Sequence, residues 1–309
     1  MFELYGVRPV ERTEVKNITF YVMSSNDTAG LEVGQYWTSL TTWPTYKSTD
    51  YYMRGDGSLS LSMDTSGTMP ESSTYQYNPA NPVPTMGGNN LPDSIGGSIP
   101  CGPLDQSVID QRSDVLVFQT PVLGEGEELA LTGPLFATLY VSSDAIDTDF
   151  MVRISDVFSA TGEARLLQDN AVRMRWREGG LTPVYMSKGE VYEVETNLWN
   201  TSYILAPGHS LRVAVTSSNN PRFSVNPNNG ILLADATYPG ENITATNTLY
   251  HSATYPSKIT LPVISDRHSQ LPEVHVLREV QKAYPDFTLD RIKELTPVVE
   301  NMLHNRKKH

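Results

Sequence analysis

Apolar and polar residues alternate with a period of two in many short segments of this chain, and this pattern constrains its fold more than any other feature. The clearest example is Leu205–Phe223, which opens with a turn signal at Pro207-Gly208. In the strand that follows, one face carries Leu211, Val213 and Val215, and the other carries Ser210, Arg212, Ala214 and Thr216. This arrangement predicts a β-strand with one face in a core and a wetter face opposite, ended before Pro221.

Segments of this kind recur at intervals of about 8–12 residues with turn-forming residues between them, which predicts an antiparallel β-sandwich. Leu129–Val141 is interpreted as strand, turn and strand, and Gly55-Asp-Gly57 as the turn of a hairpin. The predicted strands are Val15–Met23, Lys47–Arg54, Ser58–Ser62, Val115–Phe118, the two within Leu129–Val141, Thr148–Val157, Ala164–Leu167, Ala171–Arg177, Val191–Asn200, Leu211–Thr216, Gly230–Asp235, Thr248–Thr254 and Lys258–Ile264.

Two regions depart from the strand pattern. From Met63 to Pro103 the chain is rich in Pro, Gly, Asn and Ser, and Tyr77–Gly88 in particular is not expected to sustain regular structure. Helices are predicted only late, at Leu271–Ala283 and Asp286–Leu295. The sequence therefore predicts N-terminal strands and a Pro/Gly-rich wrapping segment over residues 1–125, a sandwich core over 126–265 and a helical tail over 266–309.

The composition argues against several classes of function. The net charge of −12 opposes binding to nucleic acid or to an anionic membrane surface, and no apolar run is long enough to span a bilayer. The single cysteine, Cys101, excludes an internal disulfide framework and a multi-thiolate metal site. Residues Met1–Gly6 lack the basic and apolar regions of a signal peptide, so a cytoplasmic location is favoured.

The titratable residues that could bind metal or act as catalysts have simpler structural explanations. None of the six histidines has metal-ligand spacing, and His209 is expected to be a structural hydrogen-bonding residue. A cluster of aspartates lacks the spacing of a calcium loop, and a ladder of arginines on alternate positions is expected to pair with it. No metal or cofactor is therefore expected. The residues concerned are Asp144, Asp147, Asp149 and Asp156, and Arg173, Arg175 and Arg177.

A nucleophilic serine on an α/β-hydrolase sheet requires a Gly-x-Ser-x-Gly turn between a strand and a helix. The chain has no such turn, and the nearest segment, Gly96–Pro100, lacks the closing glycine. No catalytic residue is therefore assigned.

Aromatic residues are concentrated between positions 36 and 52. Such a group can stack on a sugar or an apolar ligand, or it can pack within the fold, and the sequence leaves both interpretations open. The residues taken as a candidate ligand or partner surface are Tyr36, Trp37, Trp43 and Tyr46.

An ordered series of motifs resembles one known family, the C-terminal jelly-roll domain of X-Pro dipeptidyl-peptidases, cocaine esterase-like hydrolases and α-amino acid ester hydrolases. The resemblance covers about residues 15–265, and the series is specific although each motif alone is weak. The motifs are Phe20–Met23, Trp43-Pro44, Pro82–Gly88, Asp105-Gln106, Arg112–Val117, Leu131–Pro134, Val141–Phe150, Arg153–Val157, Thr161–Ala164, Arg173–Arg177, Pro207–Arg212, Ser217–Phe223 and Tyr255–Val263.

The resemblance implies a galactose-binding-like jelly roll that follows an α/β-hydrolase domain carrying a Ser-Asp-His triad. In that pattern the triad precedes the strand at Phe20–Met23, so no catalytic residue of the family falls on this chain. The implied partner is the α/β-hydrolase domain, in the same polypeptide or a separate one, and the resemblance also allows a homo-oligomer.

Two functions of different classes follow from these patterns. The first is a non-catalytic domain of a serine ester or peptide hydrolase, which packs on the catalytic domain, shapes the mouth of its active site or supports oligomerisation. Residues 63–103 are a candidate for wrapping a partner surface. The second is a free-standing carbohydrate-binding jelly roll that uses the aromatic group as a platform. A third alternative, an enzyme whose site no motif reveals, also stays open.

Overall fold

A computed structural model describes residues 16–25, 33–90, 99–231 and 241–274 of the chain, which fold as the predicted all-β sandwich. The strands are β1 (Ile18–Ser24), β2 (Tyr36–Leu40), β3 (Lys47–Met53), β4 (Leu59–Ser60), β5 (Ser72–Tyr77), β6 (Leu116–Gln119), β7 (Leu129–Ser143), β8 (Asp149–Phe158), β9 (Ala164–Arg173), β10 (Tyr192–Leu205), β11 (His209–Thr216), β12 (Ala245–Tyr250) and β13 (Lys258–Val263). One short helix, α1 (Arg267–Gln270), follows in the described part of the chain.

Two sheets build the sandwich. Within the described residues the larger has nine strands in the order β2-β1-β10-β7-β13-β3-β4, with β12 pairing with the end of β7 and with β5. The smaller has four strands in the order β6-β11-β8-β9. Every pairing is antiparallel except β1 with β10, which run parallel through Met23–Tyr203 and Ser24–Ile204.

The core lies between the two sheets and is built from alternate residues of facing strands. Leu139 of β7 and Ile259 of β13 meet Phe150 of β8 and Val213 of β11 in one buried cluster. Burial of such side chains removes apolar area from water, which is the main favourable term in folding. The predicted inward face of β11 is therefore confirmed.

The outer face of the small sheet is also buried, in contrast to the wetter face expected for β11. Val83, Ile109 and Val115 pack on Ala214 and form a second apolar layer. Val83 belongs to the Pro-rich segment, and its backbone bonds to Asn220. This part of the wrapping segment therefore covers the protein's own small sheet.

Three strand predictions need correction. Leu129–Ser143 is one strand, because the chain passes through Gly133 (φ 139°) without losing its pairing to β10. Ala164–Arg173 is likewise one strand, and the predicted strand 171–177 instead ends in a 3₁₀ turn at Met174–Trp176. The segment 63–103 contains β5, because Ser72–Tyr77 pairs with β12 and buries two tyrosines, Tyr75 and Tyr77.

Other predictions match more closely. The Gly55-Asp-Gly57 turn does join β3 to β4, with Met53 opposite Leu59. Three predicted strands have shifted ends, since 191–200 continues to Leu205, 248–254 begins earlier at Ala245, and 15–23 is β1, Ile18–Ser24. Most of Gly230–Asp235, most of the late helices and residues 96–98 lie outside the described residues. The division at residues 125 and 265 stays a prediction.

The first and last described segments meet on β2. Thr38 donates its hydroxyl to the carbonyl of Pro272 at 2.8 Å, and the amide of Val274 donates to the carbonyl of Trp37 at 2.7 Å. Residues 271–274 are thus extended rather than helical, unlike the predicted helix that begins at Leu271. Leu271 and Ile264 cover one face of the β1–β2 pair, here called the wing.

Candidate partner-binding face and buried polar networks

The four predicted aromatic residues do not form one platform. Trp37 is 45% exposed and lies on one face of the wing, where its ring meets that of Tyr21 edge-on at 5.5 Å between centroids. Trp43 is equally exposed but packs on Phe20, which belongs to the opposite face. Tyr36 and Tyr46 are partly buried against the cluster beneath Leu271. Their role as a ligand or partner surface stays a prediction.

Strand alternation explains why the wing has two unlike faces. Val22 is buried towards the Leu271 cluster, whereas Tyr21 and Met23 point the other way and are 39% and 41% exposed. Trp37 lies directly opposite Tyr21 in the β1–β2 register. Tyr21, Met23 and Trp37 are called the wing face below.

A cleft of about 500 Å³ separates the wing face from β9. Tyr21 and Met23 form one wall, Leu166–Asp169 lie opposite, and Thr201 and Tyr203 of β10 join the two. Gly88 and Gly102, which bond to each other through their backbones at the end of the Pro/Gly-rich segment, close one side.

Several polar side chains along this cleft already have partners in the chain. Gln35 donates to the carbonyl of Ser25 at 2.6 Å, and Gln168 donates to the carbonyl of Asn200 at 3.2 Å. Asp169 accepts from Asn219 at 2.9 Å and pairs with Arg222. The hydroxyl of Tyr203 donates to Asp156. The surface that the cleft offers to a ligand or a partner protein is therefore mainly apolar.

An exposed aromatic that the sequence pattern did not single out as a site is Trp199. It is 64% exposed and has a φ of 69°, at the bulge that interrupts β10 between Asn197 and Asn200. A bulky residue rarely adopts a positive φ, and bulges of this kind redirect a side chain. Its amide donates to the Asn197 side chain at 2.8 Å, which holds the bulge.

The predicted aspartate–arginine pairing is confirmed for Arg173 and Arg175, whereas Arg177 pairs with Glu178 and Asp156 binds His209. Arg175 and Asp147 are 1% and 0% exposed and approach to 2.6 Å. Arg173 binds Asp149 through two nitrogens at 2.8 and 2.9 Å. Asn226 bridges the two carboxylates at 2.8 and 2.7 Å. This network fixes the loop that follows Pro221 against the start of β8.

His209 is a structural residue, as predicted. Its Nδ1 lies 2.8 Å from Asp156 Oδ1, and Asp156 also accepts from Tyr203 at 2.7 Å. The carboxylate is fully buried, and the three residues come from β11, β8 and β10. Asp156 therefore links the two sheets through hydrogen bonds inside the sandwich.

A serine–histidine contact exists that the sequence did not reveal. Ser73 Oγ and His251 Nε2 lie 2.8 Å apart, although the residues are 178 positions apart in sequence. Only the pairing of β5 with β12 brings them together. Burial lowers the pKa of His251 to about 4, whereas a general base is most effective with a pKa near the working pH. Its Nδ1 has no partner among the described residues, so no carboxylate orients the ring.

The described ranges hold no group of three or more His, Cys, Asp or Glu side chains that could hold a metal ion. Within the same ranges, no helix combines the length and apolarity that crossing a bilayer requires. Cys101 is a free, partly buried thiol.

Comparison with known sequences gives a family match over most of the chain. Residues 13–260 match the family described as the X-Pro dipeptidyl-peptidase C-terminal non-catalytic domain. The chain is similar to the cocaine esterase of Rhodococcus sp. (strain MB1 Bresler), with 40% identity over 237 residues. That alignment spans 74% of this chain and 40% of the relative.

Solved structures give the same result at the level of the fold. An aminopeptidase from the marine sediment archaeon Thaumarchaeota archaeon superposes with a TM-score of 0.67 at 28% identity, over 75% of this chain and 39% of that one. An α-amino acid ester hydrolase superposes with the same TM-score at 27% identity, over 74% and 39% of the two chains. The chain thus spans about two fifths of the length of the proteins it matches.

Proposed function

The chain belongs to the family of X-Pro dipeptidyl-peptidase C-terminal non-catalytic domains, and from that membership we propose that it is the C-terminal domain of a serine hydrolase that cleaves esters or peptide bonds. The catalytic serine, histidine and aspartate would lie on an α/β-hydrolase domain, in the same polypeptide or in a separate subunit. The role of this domain would be to pack on that catalytic domain.

The observation that carries the proposal is the partial coverage of the relatives. A chain that superposes on about two fifths of an ester hydrolase and of an aminopeptidase leaves the other three fifths of each unmatched. The family description calls the matched part both C-terminal and non-catalytic. The unmatched part of such relatives is where a nucleophile and its base are expected.

The chemistry of the described residues supports the same division of labour. A serine nucleophile needs a base that takes its proton and a third group that orients the base. His251 contacts a serine but is a weak base with no orienting carboxylate, and His209 is buried between Asp156 and the ring of Phe158. In this mechanism the domain supports a site that its partner builds.

A hybrid enzyme tests the proposal. Residues 13–309 would replace the matching C-terminal part of the Rhodococcus cocaine esterase, and a fluorophosphonate probe would report an activated serine. We expect the hybrid to be labelled and to hydrolyse esters, and the 309-residue chain alone to stay unlabelled.

Either of two results would reject this function. Labelling of the chain alone would place a nucleophile within it. A hybrid that is folded by circular dichroism yet unlabelled would show that this domain does not replace the one it resembles.

The carbohydrate-binding alternative has less support. Sugar platforms place aromatic rings on one face with free hydrogen-bonding groups around them. Here Trp37 and Trp43 lie on opposite faces, and the polar side chains named along the cleft bond to the chain itself. Binding of the isolated chain to a glycan array would support the carbohydrate-binding alternative.

A further inference from the structure

We propose that the wing face, Tyr21, Met23 and Trp37, together with the cleft beneath it, is the surface that receives the catalytic α/β-hydrolase domain. The inference rests on the proposed function and adds to it a location. It states which side of this domain meets the partner and what chemistry the partner must present there.

The two faces of the wing are covered unequally. One face of the β1–β2 pair is covered from within the chain, since Val22 packs with Leu271 and Ile264. The other face carries an aromatic pair and a methionine that are each 39–45% exposed. Aromatic residues and methionine are enriched in protein interfaces, and exposed apolar surface gathered in one place marks an interaction site.

The lining of the cleft suits an apolar group better than a polar one. Among its polar side chains, Gln35, Gln168 and Asp169 are bonded to the chain, so a polar ligand would have to compete with existing bonds at these residues. An apolar side chain from a partner protein would fill the space at no such cost. The partner therefore presents one or more protruding apolar side chains to this cleft.

The place of β1 in the family match also favours this surface. The family match begins at residue 13, and the first described strand after it, β1, lies on the wall of the cleft. Because the matched part is the C-terminal one, the unmatched three fifths of a relative joins its own matched part just ahead of the strand that corresponds to β1. The catalytic part is thus attached beside the wing face.

The wing is joined to the large sheet by few backbone pairs. β1 and β10 share only the register pairs Met23–Tyr203 and Ser24–Ile204, whereas β10 and β7 pair along most of their lengths. A two-stranded unit is marginally stable without cover on its apolar faces. Contact with a second domain would supply the missing cover.

Hydroxyl-radical footprinting with mass spectrometry tests the location without any mutation. Oxidation of Met23 and Trp37 would be compared between the isolated 309-residue chain and the hybrid enzyme described above. Trp43 is the matched control, since it has the same 45% exposure but lies on the other side of the wing. We expect Met23 and Trp37 to oxidise several-fold more slowly in the hybrid and Trp43 to be unchanged.

The other outcomes separate the two proposals. Protection of a different surface, with Met23 and Trp37 unchanged, would overturn the location and leave the proposed function standing. Protection of no residue in this domain would overturn both. Equal protection of Trp37 and Trp43 would also overturn the location. Protection that grows with concentration in the isolated chain would assign the wing face to a second copy, which again overturns it.

Two charged substitutions give an independent measurement. Met23→Lys and Trp37→Lys should lower the temperature at which the hybrid loses fluorophosphonate labelling, relative to Trp43→Lys. Unfolding of each variant in the isolated chain gives the correction for intrinsic stability. If all three variants lower the temperature equally after this correction, the wing face is not the docking surface.

Discussion

At the scale of single residues, the sandwich interior is held by charged and polar groups as well as by apolar packing. Arg175 and Asp147 are almost fully buried, and the guanidinium also donates to the carbonyl of Ile231 at 2.8 Å. A buried ion pair offsets its desolvation only while both partners are present. Arg153, which is 2% exposed and paired with Asp110, follows the same rule.

Removing one partner of the buried pair should be costly. We expect Arg175→Met to lower the free energy of unfolding by about 3–5 kcal/mol, because Asp147 would remain charged in the interior. Lys258→Met is the matched control, since Lys258 and Asp50 are 29% and 32% exposed and such pairs contribute about 0–1 kcal/mol. Urea unfolding measures both. Equal effects would show that burial of the Arg175 pair has no energetic consequence.

His251 gives the fold a dependence on pH. Burial lowers its pKa from 6.5 to about 4, so the unfolded chain binds more protons between these values. The contribution is complete above pH 6.5 and is lost as pH falls towards 4, by about 2 kcal/mol between pH 7 and pH 5. His251→Gln should remove this part of the slope. If urea unfolding from pH 7 to pH 5 gives the same slope for both proteins, the histidine is not responsible.

At the scale of elements, β7 organises the large sheet. It pairs with β10 along one edge and with β13 and then β12 along the other, and its pairing with β10 continues through Gly133, whose φ is 139°. A Cβ on this residue would lie 2.9 Å from Pro262 Cβ and 3.1 Å from the ring of Tyr46. The glycine therefore permits both the backbone angle and the close approach of β13.

The requirement for glycine at position 133 can be tested by adding one methyl group. We expect Gly133→Ala to lower the free energy of unfolding by about 3 kcal/mol, from a positive φ combined with two short contacts. Gly162→Ala is the control, because Gly162 also has a positive φ (76°) but nothing lies within 4 Å of its Cβ position, so about 1 kcal/mol is expected. Similar losses in urea unfolding would mean that the contacts around Gly133 add nothing.

The sequence predicted elements whose signals are local and missed those decided by distant partners. The inward face of β11, the Gly55–Gly57 turn and the pairing of Arg173 and Arg175 with aspartates have signals within short segments, and each was confirmed. By contrast β5 lies in a segment whose composition indicates a loop, and it becomes a strand because β12, more than 160 residues later, pairs with it.

The candidate site shows the same limit. Aromatic enrichment drew attention to Trp37 and Trp43, but only the β1–β2 register shows that they occupy opposite faces. The register also adds Tyr21 and Met23, which no local motif marked as a site. The Ser73–His251 contact has no sequence signal, since it depends on the pairing of two strands far apart in the chain.

At the scale of the whole molecule, stability is distributed unevenly. The β7–β10 ladder is long and central, whereas the wing joins β10 through two register pairs at one end. Regions with few buried apolar contacts open at lower free energy than the core does. The proposed docking surface thus lies on a part of the large sheet that is joined to β10 by only two register pairs.

Amide hydrogen exchange should show this gradient. In the isolated chain we expect peptides from β1 and β2 to exchange much faster than peptides from β7 and β10, because the wing can open without global unfolding. In the hybrid enzyme the wing peptides should slow selectively, while those of β11 stay unchanged. Uniform exchange across all these strands in the isolated chain would contradict the gradient.

Residues 16 and 274 both bond to β2, and this closeness affects how the described sandwich could be joined to other proteins. The backbone amide of Lys16 donates to Ser39 Oγ at 2.5 Å, and the amide of Val274 reaches Trp37 only two residues away on the same strand. Two positions that lie this close are suitable sites for joining a folded unit to another chain without stretching either one. A fusion made at residues 16 and 274 would then require short joints and no redesign of the interior of the sandwich.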